Sequence, residues 1–305
     1  MKTIGITGGT GFVGGHLVRL LTEKGYKVVI FTTGTPRSAN ELQVSYSGWN
    51  PSKGTIDQEA LGQLDAMVHL AGAGIADKRW KPKRKLEITN SRVNGTEFIV
   101  EQLKLHATNC KTFIASSATG FYGPDNGVKP FTEDAPPCND FLGNTCRLWE
   151  EASQEAASFV RTVILRLGIV LGKESGAFPK FLQPLSMGVM PVLGSGGQMM
   201  SWIEVDDLAR MIVYAIETEK VHGIYNAVSP HANSHWQLMH TLAKVKGGFK
   251  IPFHVPSALL KILLGELSIE ILKSCTVSAH KIMDAGFTFQ YPELEGAVRA
   301  IMGRD

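Results

Sequence analysis

Short apolar runs and longer amphipathic stretches take turns along the first 170 residues of this 305-residue chain. Thr3–Thr7, Lys27–Thr33, Ala66–Ala71, Thr112–Ser117 and Thr162–Val170 have strand length and are rich in Ile, Val and Phe. Phe12–Lys24, Arg84–His106 and Phe141–Ser158 are longer and amphipathic, which predicts helices. In the first of them Phe12, Val13, Leu17, Leu20 and Leu21 line one helical face, and Gly25 follows as a stop before Val28-Val29-Ile30. Strand, helix and strand in this rhythm predict an α/β fold, a doubly wound parallel sheet wrapped by helices. Beyond residue 170 the pattern loosens into Gly/Pro-rich loops at 172–176 and 188–197. Helical segments then follow around Asp206–Glu219, Ser234–Lys246, Pro256–Leu272 and Ser278–Ala285. The predicted organisation is a first domain over 1–170, with segments around 200–228 returning to it, and a smaller C-terminal α/β lobe over 171–305.

Composition narrows the classes. A chain that is 44% hydrophobic and 19% charged has the balance of a folded protein rather than a disordered one. Thirty-one Lys plus Arg against 28 Asp plus Glu leave +3, too little to point to nucleic acid, so none is expected as a partner. Glycines at 5, 8, 9 and 11 interrupt the start where a signal peptide would need an apolar run. The best candidate for a membrane span, Ala258–Leu272, carries Lys261, Glu266 and Glu270, so no membrane partner is expected. Cys110, Cys138, Cys146 and Cys275 show no C-x-x-C spacing and no paired His, which predicts neither disulfides nor metal. Reduced thiols in the cytoplasm fit that usage, as they would in an organelle matrix. A small-molecule substrate is the expected partner, and a homodimer is left open.

The first strand runs straight into Thr7-Gly8-Gly9-Thr10-Gly11-Phe12-Val13-Gly14, with a helix opening inside the motif. In that context Gly8 permits the tight turn, Gly11 lets backbone approach a pyrophosphate, and Gly14 allows close packing of helix on strand. Free N–H groups at Thr10, Gly11, Phe12 and Val13 then face phosphate at the helix start. Residues 1–170 are therefore expected to form a Rossmann-type, NAD(P)-binding domain. A reader of NAD usually places Asp or Glu at the end of the second strand to bond the adenine ribose. Here the strand ends Phe31-Thr32-Thr33-Gly34-Thr35-Pro36-Arg37, with hydroxyls and a cation in place of a carboxylate that would repel a 2′-phosphate. NADP is the expected cofactor, with NAD as the alternative.

Taken together these motifs resemble the extended branch of the short-chain dehydrogenase/reductase superfamily: the glycine loop, His69-Leu70-Ala71-Gly72, Asn94-Gly95-Thr96, and Ser116-Ser117 ahead of Tyr122-Gly123. More narrowly the chain resembles the YfcH-like family of nucleoside-diphosphate-sugar epimerase-like proteins. That likeness rests on Ser91-Arg92-Val93, Cys146-Arg147-Leu148-Trp149-Glu150, Gly194-Ser195-Gly196 and Trp202-Ile203-Glu204-Val205-Asp206-Asp207. Leu264-Gly265-Glu266 through Ala285-Gly286-Phe287 is similar to the family's small C-terminal domain, here at about 250–302. The resemblance implies that Leu70, Ala71 and Gly72 pass close under the cofactor. It further implies that Thr33 stands where relatives often carry a cation for the 2′-phosphate, with Arg37 as its substitute, and that Glu87, Arg92 and Val170 are cofactor neighbours.

Enzymes of that superfamily hold substrate with Ser or Thr and exchange a proton through Tyr, helped by a Lys four residues later. Ser117 fits the first role. Counting back from Glu150, the Tyr slot falls at Leu142 and the Lys slot at Cys146, and Tyr-x-x-x-Lys occurs nowhere in the chain. Leu has no proton to give, and a neutral thiol supplies no positive charge. Tyr122, five residues after Ser117, is the substitute candidate for proton exchange. The expected function is an NADP(H)-binding oxidoreductase or epimerase-like protein acting on a polar, nucleotide-linked substrate. The rival is a catalytically silent NADP(H)-binding redox sensor or scaffold, a reading connected with the cell-division-inhibitor label that some relatives carry. Asp206 and Asp207 are expected to cap a helix. Six cations between Lys78 and Lys85 are expected to form a solvated loop and helix start, with a substrate phosphate as their functional reading, and His231 and His235 are expected in loops.

Overall fold

The computed structural model describes residues 2–34, 43–127 and 129–304. In chain order the first half contains strands β1 (Thr3–Thr7), β2 (Lys27–Thr32), β3 (Val44–Asn50), β4 (Thr55–Ile56), β5 (Ala66–His69), β6 (Thr112–Ala118) and β7 (Arg161–Leu167). Its helices are α1 (Phe12–Glu23), α2 (Gln58–Gly62), α3 (Pro82–His106) and α4 (Phe141–Gln154). The second half adds strands β8 (Ile169–Leu171), β9 (Val189–Leu193), β10 (Met199–Met200), β11 (Trp202–Glu204), β12 (Gly223–Ala227), β13 (Asn233–Ser234) and β14 (Ile251–Val255). Its helices are α5 (Phe178–Ser186), α6 (Val205–Glu217), α7 (His235–Lys246), α8 (Ser257–Leu264), α9 (Leu267–Leu272), α10 (His280–Asp284) and α11 (Leu294–Met302).

Among the described residues eight strands form one sheet in the order β12-β7-β6-β5-β1-β2-β3-β4. Every neighbouring pair is parallel except β3 with β4 at the edge. Alternation along the strands explains why both faces are covered. Ile4, Ile6, Val28, Ile30, Val68, Ile114 and Leu165 face Leu17 and Leu21 of α1 and Leu208 and Ile212 of α6. Val29, Phe31, Met67, Phe113 and Ile164 face Leu61 of α2 and Ile99 and Leu103 of α3. The order reverses direction between β1 and β5, the switch point at which ligands of open parallel sheets bind beyond the strands' carboxyl ends.

The smaller lobe packs α5, α7 and α11 with the parallel pair β9–β14 around Phe178, Met190, Val192, Leu238, Leu242 and Val298. Leu267 of α9 closes against Trp80, Ile88 and Leu142 of the larger lobe. Two long elements expected from the sequence are each divided. Residues 162–170 are interrupted at Gly168, so that β7 stays in the large sheet while β8 leaves it to pair with β11. The run 256–272 breaks at Gly265 into α8 and α9. Helix α5 lies between the loops expected at 172–176 and 188–197; its Pro179 sits in the first turn, where no intrahelical N–H bond is lost, and Pro184 lies inside it.

Candidate nucleotide site and the buried network beside it

The glycine turn is built by contacts that leave no room for side chains. Gly8 adopts φ +74, and a Cβ there would stand 3.0 Å from the Leu70 carbonyl carbon and the Ala71 amide nitrogen. A Cβ on Gly14 would fall 2.2 Å from the Gly8 oxygen, so α1 approaches β1 as closely as backbone allows. The Gly11 amide donates to the Gly8 carbonyl at 2.9 Å, and Gly11 caps α1 with its backbone extended and no capping side chain. The orphan amides that begin α1 are therefore unserved by any side-chain cap, and Thr10 and Gly11 are exposed. A phosphate fits here: a cradle that a Cβ would fill, at the positive end of a twelve-residue helix.

Around this turn the structure gathers the strand ends. Leu70, Ala71 and Gly72 leave β5 directly beside Gly8. Beneath them His69 is fully buried, its Nδ1 2.6 Å from Thr7 Oγ1, and burial pulls its imidazole down to about 4, which keeps it neutral. Gly172 packs on the Phe12 ring, where an added Cβ would meet Cζ at 2.5 Å, so the segment after β8 and Val170 crosses the start of α1. Val170 is half-buried in β8. Arg92 of α3 reaches back to the same turn: its Nη1 donates to the Ala73 carbonyl at 2.9 Å, and its side chain lies 3.5 Å from where a Gly72 side chain would begin. Glu87 is exposed on α3 and pairs with Arg84 at 2.8 Å, which holds its carboxyl below the usual range. Thr33 is exposed just past β2, and Arg37 lies outside the described residues.

Both hydroxyl candidates for catalysis lie in one buried network. Ser117 Oγ donates to Glu150 Oε1 at 2.6 Å, and Arg166 clamps the same carboxylate with Nε and Nη2, each at 2.8 Å. Arg166 Nη1 donates to the Tyr122 oxygen at 2.8 Å, and the Tyr122 hydroxyl donates to Asn226 Oδ1 at 2.5 Å. Ser117 is 2% exposed, Tyr122 3% and Arg166 2%. Burial pushes the Tyr122 phenol up to about 12, against the pull of the Arg166 charge. Tyr122 stacks on Phe131 at 5.2 Å between ring centroids, and the Arg166 guanidinium lies 3.6 Å from the Phe121 ring centre. Register explains the pairing, since Ser117 of β6 stands beside Arg166 of β7 on the sheet face that α4 covers with Glu150. Cys146 is buried with them, and burial together with the Glu150 charge pushes its thiol up to about 12. Arg166 and Asn226 carried no motif that would have marked them, and nothing in Cys146-Arg147-Leu148-Trp149-Glu150 marked Glu150 as their partner, because ion pairs between distant elements leave no periodic signal.

Other expectations are revised. The cap of α6 is Glu204, whose Oε2 accepts from the amides of Asp206 and Asp207 at 2.7 and 2.9 Å. Asp206 and Asp207 stand in the first turn instead, Asp207 accepting from the amides of Gln290 and Tyr291, and Asp206 meeting His16 and Arg19. His235 is no loop residue: it opens α7, is 1% exposed, and packs edge-on against Phe181. Within the Lys78–Lys85 cluster Arg84 is buried on the Gly74 carbonyl, and Lys85 pairs with Glu266, while Lys78, Arg79, Lys81 and Lys83 are exposed. Burial pushes the Glu204 carboxyl up to about 7. The folded chain therefore holds a proton there that the unfolded chain has already released, so stability falls as pH rises from the ordinary carboxyl value of 4.5 toward 7. Urea unfolding at about pH 5 and about pH 8 checks this, and Glu204→Gln is expected to flatten that part of the fall.

A doubly wound sheet whose glycine turn sits at the switch point defines a dinucleotide-binding α/β protein. The chain belongs to the NAD dependent epimerase/dehydratase family, which matches residues 4–227, and a domain of unknown function (DUF1731) matches residues 255–301. Epimerase family protein YfhF of Bacillus subtilis (strain 168) is 36% identical over 302 residues, 98% of this chain and 97% of that protein. The chloroplastic epimerase family protein SDR39U1 homolog of Arabidopsis thaliana is 32% identical over 305 residues, covering 98% of this chain and 86% of its own. The crystal structure of human epimerase family protein SDR39U1 (isoform2) with NADPH superposes with a TM-score of 0.86 at 26% identity, covering 99% of both chains. Among the described residues no helix is long and apolar enough to cross a membrane, and no cluster of His, Cys, Asp and Glu could hold a metal ion.

Proposed function

We propose that this chain binds NADP(H) on the glycine turn and works as an oxidoreductase or epimerase-like protein on a polar substrate. The observation that carries the reading is the Gly8–Gly14 cradle, where backbone meets backbone too closely for side chains and the amides that open α1 have no side-chain cap. Bound NADPH would supply a hydride for a substrate carbon. The chain's own part is to orient and to polarise. The amides of Thr10, Phe12 and Val13 hold the diphosphate through the helix start, Gly11 leaves room for it, and Leu70, Ala71 and Gly72 line the way past it. Preference for NADP is supported by the exposed hydroxyl of Thr33 where an NAD reader carries a carboxylate, and by the NADPH in the human relative. Residues 171–305 close over the substrate, and exposed Lys78, Arg79, Lys81 and Lys83 would meet a phosphate on it.

Ser117 and Tyr122 contribute by bracing Arg166 and Glu150 rather than by exchanging a proton with substrate, since a general acid must reach the atom it serves. Thr119, half-buried just past β6, offers a hydroxyl without a partner among the described residues and is the better candidate to hold a substrate oxygen. The second reading, a nucleotide-binding sensor without turnover, is favoured by buried Leu142 and Cys146 in the slots of the missing Tyr and Lys. Four free cysteines support a reducing compartment such as the cytoplasm. Thermal unfolding with NADPH, with NADH and with neither tests the binding. NADPH at 100 times its Kd is expected to add about 2.7 kcal/mol and to raise the melting temperature more than NADH does. A melting temperature unmoved by either nucleotide contradicts both readings. Oxidation of NADPH in the presence of carbonyl compounds or sugar nucleotides then separates enzyme from sensor.

A further inference from the structure

Away from the nucleotide site, the stretch that leads from α7 through β14 into α8 leaves an apolar face uncovered. Phe249 is 84% exposed at the entry to β14, and Ile251 and Phe253 stand out on the strand itself. β14 pairs with β9 alone, so among the described residues its other edge meets no strand. Helix α8 follows directly after Pro256. Six of its eight residues are apolar, yet only Leu260 is buried, while Leu259, Ile262 at 68% and Leu263 at 62% are exposed. Single exposed apolar side chains need no explanation, but six bulky ones between 249 and 263 do. Charge here is equally one-sided. Between Glu219 and Glu266 the chain carries no Asp or Glu and five lysines. Lys250 follows Phe249 and Lys261 lies on α8, and among the described residues neither pairs with a carboxylate. Where α8 ends, Arg79 Nε lies 2.8 Å from the point at which a Gly265 side chain would begin. The next carboxylates along the chain, Glu266 and Glu270, are already paired with Lys85 and Lys273.

We propose that this face, β14 with α8, docks on an anionic lipid surface. The apolar side chains enter the boundary between headgroups and acyl chains, and Lys250, Lys261 and Arg79 meet lipid phosphates around them. The expectation of no membrane partner concerns a span; lying on a bilayer needs only an apolar face with cations beside it. Charge decides against a second copy as the occupant. A two-fold contact sets a patch against itself, so the same cations would crowd together with no carboxylate from residues 220–265 to balance them. The inference is independent of the nucleotide reading, since no residue of the glycine turn takes part.

Sedimentation of the full chain with sucrose-loaded vesicles tests this, one set of phosphatidylcholine alone and one with about a quarter phosphatidylglycerol. The mixed vesicles are expected to bind the chain about ten-fold more tightly than the neutral ones, and less tightly as salt rises. Ile262→Ser with Leu263→Ser changes two exposed positions and leaves the core intact, and it is expected to weaken binding to mixed vesicles by about ten-fold or more. Lys250→Gln with Lys261→Gln is expected to cut the preference for the anionic lipid to about three-fold or less. Equal binding to both vesicle types, or none to the mixed ones, overturns the proposal, and neither measurement needs a variant to fold. Undiminished binding by a folded serine variant overturns it as well. A dimer in sedimentation velocity that the serine variant dissociates assigns the face to a second copy, and retention on poly-glutamate without vesicle binding assigns it to an acidic protein; either result contradicts the proposal.

Discussion

Replacing Glu150 with alanine is expected to lower the free energy of unfolding by about 3–5 kcal/mol, the usual cost of stranding one member of a buried ion pair. Arg166 would remain 2% exposed with its bidentate partner gone, while the Tyr122 oxygen and the Glu133 carbonyl, at 2.8 and 3.0 Å, are neutral acceptors that do not balance its charge. Ser117 would lose its acceptor at the same time. Taking both charges out together with Glu150→Leu and Arg166→Met is expected to recover much of the loss, because the desolvation of two ions then disappears along with their attraction. Urea unfolding with an unchanged denaturant slope checks both variants. A Glu150→Ala protein as stable as the original would show that the Ser117–Glu150–Arg166–Tyr122 chain does not hold β6, β7 and α4 together.

Gly11→Leu is expected to weaken NADPH binding by about 100-fold or more, corresponding to about 2.7 kcal/mol, while the protein stays folded. Gly11 has an ordinary φ of −82, so a side chain there brings no backbone strain. A Cβ would meet only the Gly8 oxygen, at 3.1 Å, and Gly11 is exposed, so the added atoms project from the first turn of α1 into the space its amides face. Gly14 is a poorer test, because a Cβ 2.2 Å from the Gly8 oxygen would force α1 off the sheet and confuse folding with binding. Equilibrium dialysis with NADPH, alongside a melting curve of the free variant, separates the two effects.

The βαβ unit at the start of the chain was legible because its information is local. Ile4, Ile6, Val28 and Ile30 alternate toward one face, Leu17 and Leu21 recur at helical spacing, and both sets meet in one core. The glycine turn was legible for the same reason, since strand, turn and helix are contiguous. Strand β3, Val44–Asn50, was missed although Val44, Tyr46 and Trp49 fit a strand, because the run is half polar and holds Gly48. The Glu204 cap was missed because Asp206 and Asp207 are better caps by residue type, and only the exit of β11 decides which carboxylate faces the orphan amides. Least legible was the setting of Ser117 and Tyr122. Their partners Glu150, Arg166 and Asn226 come from α4, β7 and β12, and only the sheet order brings those elements side by side. Arg92 shows the same limit, since its place over the Trp149 ring depends on how α3 and α4 pack rather than on any spacing within one helix.

The claim on which the functional account stands is that main-chain amides at the start of α1 grip the diphosphate of a dinucleotide. Titrating NADPH into nitrogen-15-labelled, deuterated protein and following individual amide resonances tests it most directly. The account predicts that the amides of Thr10, Phe12 and Val13 shift most and saturate together with binding. Saturable binding that leaves those three resonances in place while others move would contradict it.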